Sequence, residues 1–195
     1  YVQCYETSGF TTIADFEEDS DLETVTMEGI VTDASGFNWW TEDLMDFAGR
    51  SAYDTHALRL RWNDSASLTM RTPGLDLEDA ALTFDICDLD SDAVYDGDLA
   101  LMDASIYLTD GAGNSAVAQL RDFALVYPVL TVKTDKLDYI FDTATVKEAF
   151  ATVSIPTDEF EVTGGTVDFS DIDRIEFWFS GGGQVALDNI GITPA

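Results

Sequence analysis

Asp188 lies inside the run Val185-Ala186-Leu187-Asp188-Asn189-Ile190, which reads as a strand near the end of the chain. A carboxylate in that setting is costly unless something binds it, and a cation is one candidate. The densest carboxylates fall in a single loop, Asp88-Leu89-Asp90-Ser91-Asp92 running on to Asp96-Gly97-Asp98. Asp88, Asp90 and Asp92 have the opening spacing of an EF-hand, but Ala93 stands where that loop needs glycine and Leu99 where it needs a bidentate glutamate. The spacing therefore predicts a solvated acidic loop. Glycosidic cleavage would need one protonated and one ionised carboxyl group at a defined separation, and this motif is a poor source of such a pair. His56 is the only histidine and no Gly-x-Ser-x-Gly turn occurs, which argues against nucleophilic hydrolysis. One histidine with Cys4 and Cys87 cannot build the usual zinc site. Those two cysteines could form one disulfide or remain thiols.

Aromatic side chains are the other source of chemistry. Pyranose rings present apolar C–H faces that stack on Trp or Tyr while neighbouring polar groups bond the hydroxyls. Trp39, Trp40, Trp178 and Tyr95 are the candidate platforms, with Arg174 and Glu176 beside Trp178. Adjacent Trp39 and Trp40 cannot both point inward from a strand.

The elements that position these groups are strands. Ile175, Phe177 and Phe179 alternate with Glu176, Trp178 and Ser180, so Trp178 should face away from the core. Gly181-Gly182-Gly183 then lets the chain reverse into a closing hairpin. Ala80 to Cys87 reads as a buried strand with Leu82, Phe84 and Ile86 on one side. Ile13 and Val25 to Thr32 open the chain as strands, and Phe37 to Trp40 reads as a loop. His56 to Trp62 and Ser67 to Thr72 read as a hairpin about Asn63-Asp64-Ser65, broken afterwards by Pro73-Gly74. Ser105 to Thr109 and Ser115 to Leu120 read as another, about Asp110-Gly111-Ala112-Gly113-Asn114. Leu137 to Phe150 alone has helical character. About ten short strands with hardly any helix predict an all-β sandwich of two antiparallel sheets. We expect residues 1–10 to be an extension and 11–195 a single domain, as befits a chain of 195 residues.

The charge is extreme, with 9 basic against 38 acidic residues and a formal net of -29. Such a surface repels phosphate backbones, so nucleic acid is excluded as a partner. No run is long and apolar enough to span a bilayer as a helix.

Three segments in order carry a resemblance: Asp15-Phe16-Glu17, then Phe150 to Phe160, then Val167 to Phe177 running on to Val185-Ala186-Leu187-Asp188-Asn189-Ile190. Together they resemble the galactose-binding-like jelly rolls that serve as carbohydrate-binding modules of secreted polysaccharide-degrading enzymes. They also resemble sandwich domains appended to some secreted bacterial α/β-hydrolases. The resemblance implies a non-catalytic module, extracellular or at the cell surface, that binds a polysaccharide or oligosaccharide beside a catalytic domain of the same polypeptide. The alternatives are an accessory domain that docks on an α/β-hydrolase without binding sugar, and a calcium-dependent adhesion module. It further implies a structural calcium joining Glu17 and Asp188, with Asp15 as a further ligand. Relatives carry Asp-Asp where this chain has Asp188-Asn189.

Overall fold

The computed structural model describes residues 9–16, 23, 25–30, 39–43, 56–89, 101–128, 130–132, 145–147 and 150–194. Within them the strands are β1 (Thr11–Ala14), β2 (Val25–Ile30), β3 (Trp39–Asp43), β4 (His56–Leu75), β5 (Ala80–Asp88), β6 (Ala104–Asp110) and β7 (Ser115–Gln119). There follow β8 (Leu130–Val132), β9 (Thr145–Lys147), β10 (Ala151–Pro156), β11 (Glu161–Gly164), β12 (Ile172–Ser180) and β13 (Gly183–Pro194). Among the described residues helix is confined to two short 3-10 turns, Leu120–Asp122 and Thr157–Glu159.

Pairing is antiparallel in the order β10-β5-β13-β4-β12-β6-β7-β11, with β1 on β13 and both β2 and β3 on β4. β4 serves two layers. Its first part, from His56 to Trp62, pairs with β13 and β3; its second, from Ser65 to Leu75, pairs with β12, and β2 runs along Ser67 to Met70 and, past a bulge, reaches Trp62. The inward faces meet in one apolar core that includes Leu58, Leu60, Phe84, Ile86 and Leu187 from the first layer. Leu68, Met70, Ile106, Ile175, Phe177 and Phe179 enter it from the second. Phe84 meets Phe177 edge-on with ring centres 5.0 Å apart, and Trp62 lies 4.8 Å from Phe179. The result is the β-sandwich that the alternation predicts.

Several local expectations are corrected. Asn63-Asp64-Ser65 is not a hairpin turn, because the strand runs through it from His56 to Leu75. Those three residues are exposed at the point where β4 passes from one layer to the other, which asks for the same polar residues as a turn. Pro73 and Gly74 sit within β4, where the register with β12 shifts between Ile172 and Arg174; a bulge leaves no ladder N–H for proline to remove. β12 and β13 are not a hairpin either. Each pairs with β4, so the glycines carry the chain between layers. Gly182 packs so tightly there that a Cβ would lie 2.8 Å from the Asn63 carbonyl oxygen, and the Trp62 indole N–H donates to the Gly181 carbonyl. Trp39 and Trp40 open strand β3, not a loop. Of the stretch with helical character, the described part at Thr145–Lys147 is a strand paired with β8.

The β6–β7 hairpin forms as predicted, and Asp110 anchors it. Its buried carboxylate accepts bonds from the Asn114 side chain at 2.9 Å and from the backbone N–H groups of Asn114, Ala112 and Asp168. The Asn114 amide leads the donors that hold its pKa below the ordinary 3.8, against the opposing effect of burial. Asp168 belongs to the β11–β12 connection, so this one carboxylate ties two loops together.

Candidate functional site

The second layer leaves an open outward face. Along β12 the even-numbered positions Arg174, Glu176, Trp178 and Ser180 point away from the core, while Ile175, Phe177 and Phe179 are buried. The register places Ser67 and Ser105 on either side of Trp178, and both are too small to cover an indole. Trp178 is accordingly 40% exposed. One step along the strand, Glu176 lies between Thr69 and Tyr107; one further, Arg174 lies between Arg71 and Thr109. Ser105 donates a hydrogen bond to the Gln119 side-chain oxygen at 3.0 Å, which fixes the rim beyond the tryptophan. The face thus carries an exposed aromatic ring, a second aromatic one step away, two guanidiniums and several hydroxyl groups. Such a surface can stack on an apolar ring face and bond its hydroxyl groups.

The outward side of the first layer is different in kind. Every residue of β5 is buried, so its outward positions Thr83, Asp85 and Cys87 are covered. Asp85 and Asp188 are cross-strand partners, 7% and 5% exposed. The Asn189 amide bridges them, donating to Asp85 Oδ2 at 3.0 Å and Asp188 Oδ2 at 3.1 Å. Thr152 donates to Asp85 Oδ1 at 2.6 Å. Asn189 reaches this position because it occupies a bulge: the register with β5 shifts between Asp188 and Gly191, and Asn189 takes φ of 49°. β1 comes alongside at the same place. Ala14 pairs with Ile190, which brings Asp15 to this end of β13. Gly191 is required for the approach, since a Cβ there would lie 2.5 Å from the Thr11 carbonyl oxygen.

The first and last strands therefore lie side by side, as the resemblance implies, and their pairing ends at Ile190, two residues from Asp188. Asp85 and Asp188 are hard oxygen donors of the kind calcium takes, but they are two residues where the ion wants six to eight oxygens. Among the described residues no group of three or more metal-binding side chains gathers. Glu17, the expected partner of Asp188, lies outside the described residues, as does Tyr95. Trp39 and Trp40 are placed only by register, opposite Leu60 and Arg59 of the first layer, so they do not share the layer of Trp178. Arg174 and Trp178 do share one face. Cys87 is buried with its thiol toward the Asp88 carbonyl oxygen at 3.7 Å, and Cys4 lies outside the described residues.

Sequence reasoning missed Asp85 and Tyr107. Tyr107 was legible: Ile106 and Leu108 alternate with Ser105, Tyr107 and Thr109 as clearly as in β12. Asp85 was not, because nothing local says that the outward side of β5 is covered.

No protein-family model matches the sequence, and no curated protein matches it. Solved structures do. A family 11 carbohydrate-binding module of a cellulosomal cellulase from Clostridium thermocellum superposes with a TM-score of 0.56 at 16% identity, covering 96% of this chain and 95% of that one. A family 11 carbohydrate-binding module from Clostridium thermocellum in complex with a β-1,3-1,4-mixed-linked tetrasaccharide gives the same TM-score of 0.56 at 16% identity, covering 96% of each chain. A family 30 carbohydrate-binding module gives 0.53 at 14% identity, over 85% of this chain and 77% of that one. An exo-β-agarase gives 0.56 at 16% identity, and there 96% of this chain corresponds to 25% of the enzyme. At such identities the likeness is one of fold: the chain has the jelly-roll β-sandwich of these carbohydrate-binding modules.

Proposed function

We propose that the chain is a non-catalytic carbohydrate-binding module in which residues 11–195 act as one domain and the outward face of the second layer holds the glycan. The observation that carries this reading is Trp178, a large aromatic left 40% exposed between two serines on a regular sheet face. Burial of its neighbours Phe177 and Phe179 supplies the core, so Trp178 is free for a ligand. Its indole would stack on a pyranose ring, while Tyr107, Glu176 and Arg174 bond hydroxyl groups along the sugar chain. The agarase, in which a similar fold accounts for a quarter of the chain, supports a catalytic domain as covalent neighbour and an extracellular or cell-surface setting.

The same reading includes a structural calcium. Asp188 and Asp85 would hold it with Asp15 and Glu17, joining the first strand to the last. Two buried carboxylates directly across a strand pair repel each other, and a divalent ion between them would turn that cost into a tie.

Affinity electrophoresis through gels containing neutral and charged polysaccharides tests the binding. Retardation of the native chain that is lost in Trp178→Ala is expected. A native chain that migrates freely through every gel would sink the reading.

A further inference from the structure

The chain has nine basic residues among 38 acidic ones, yet two of its arginines are placed directly opposite each other. Arg71 on β4 and Arg174 on β12 are cross-strand partners, both exposed, on the face that carries Trp178. Like charges facing across a strand pair are destabilising, and their Cβ atoms stand about 5 Å apart. Carboxylates are abundant enough to neutralise both. Arg121 pairs with Asp103 at 2.8 Å, but among the described residues neither Arg71 nor Arg174 takes part in an ion pair. Acidic groups on the same face include Glu176 and Glu28, in the rows that pass through Tyr107 and Trp178, and Glu161 at the far edge beyond Val117; Asp173 is half-buried beside Arg174 in the β12 bulge, and Asp103 precedes β6 with the outward parity of Ser105.

We infer that the glycan bound on this face is anionic, and that Arg71 and Arg174 together grip one of its carboxylate or sulfate groups. The inference rests on the glycan-binding reading above and names its ligand class. A guanidinium presents a planar fork of donors that matches an oxyanion, and two forks at cross-strand distance can converge on the same group. From Arg174 to Trp178 is four residues, about 13 Å along the strand. A short oligosaccharide can span that distance, with one sugar stacked on Trp178 and a charged one further along between the arginines. A neutral glycan would leave the two guanidiniums facing each other with neither held in an ion pair.

The overall charge of -29 opposes this at long range but not at contact. At about 0.15 M salt, charges more than about 8 Å away are largely screened, whereas the arginines touch the bound group. Affinity is therefore to be measured at that ionic strength or above.

The experiment is affinity electrophoresis and calorimetry with polygalacturonate, a sulfated galactan and a neutral β-glucan as probes. The native chain is compared with Arg71→Gln/Arg174→Gln, with each single variant Arg71→Gln and Arg174→Gln, with Trp178→Ala, and with Arg61→Gln on the other layer as the charge-matched control for the single variants. The expected result is that polygalacturonate, the sulfated galactan or both outbind the β-glucan. The double arginine variant should lose about tenfold or more of that affinity while Arg61→Gln does not. The two charged probes tell carboxylate from sulfate. Equal binding of charged and neutral probes, or an arginine variant that binds the charged probes as the native chain does, would overturn the inference and leave glycan binding intact. Binding to none of the probes by the native chain would remove both.

Discussion

The two outward faces of this sandwich are built from the same strand and differ where they matter most: at β5 and Asp188 the first is covered, and along β12 the second is open. β4 contributes Arg59 and Ala57 to the first layer and Ser67, Thr69 and Arg71 to the second, with the same alternation throughout. On the first layer Ala57, Cys87 and Ala186 are fully buried and gather with Leu89 and Phe150 into a small cluster outside the main core. On the second, Trp178, Arg71 and Arg174 stand in solvent. A covered face can hold buried carboxylates in fixed positions, as it does for Asp85 and Asp188. An open one can meet a large, extended ligand. Under the proposed function, structural work falls to one layer and recognition to the other.

The strongest way to break that assignment is to compare two neighbours on β12. Phe177→Ala empties a fully buried site against Phe84 and should cost about 3–5 kcal/mol, read as a large drop in the urea midpoint. Equal loss from Trp178→Ala would mean that Trp178 also belongs to the packing. On the covered face, Asp85→Ala removes the acceptor of Thr152 and one of the two acceptors of the Asn189 amide. A loss of about 1–3 kcal/mol is expected in chemical denaturation. If calcium is held there, a chelator should lower the melting temperature of the native chain and barely move that of Asp188→Ala, with metal analysis of the purified protein as the direct check.

The pH dependence sharpens the comparison away from both faces. The pKa of Asp110 is lowered in the folded chain, so its carboxylate contributes stability that is full above its ordinary 3.8. That contribution is lost as pH falls through the folded value. Asp110→Asn should therefore flatten the stability profile below about pH 4 and leave its shape near neutrality unchanged, followed by denaturation midpoints across an acid series. An unchanged acid limb would mean that other carboxylates set it. The smallest stability effect should be at the open face itself: Trp178→Ala is expected to shift unfolding by no more than about 0.5 kcal/mol, as for a surface position, while abolishing glycan retardation.

Much of the fold was legible because strand alternation is a local signal. β12, β5 and the β6–β7 hairpin all follow from apolar residues at every second position and from the Asp-Gly and Gly-Asn turn residues. The bend of β4 was misread as a turn for a physical reason: exposed backbone at a layer crossing wants the same Asn, Asp and Ser as a hairpin. The β12–β13 pairing was misread because adjacency in sequence suggests a hairpin, and only the presence of β4 between them shows otherwise. Of the site, Trp178 and Arg174 were visible from parity alone. Arg71 was not, because which residue faces Arg174 depends on register, and register is set by long-range pairing.

The order of apolar and polar residues determined that this chain forms strands and which side of each strand faces the core, since burial of alternate side chains is decided residue by residue. Tertiary structure alone decided which outward sides are covered, which strands are neighbours, and that two arginines from distant parts of the chain share one open face. Those outcomes depend on what packs against a strand, and a strand's own sequence does not contain its neighbours.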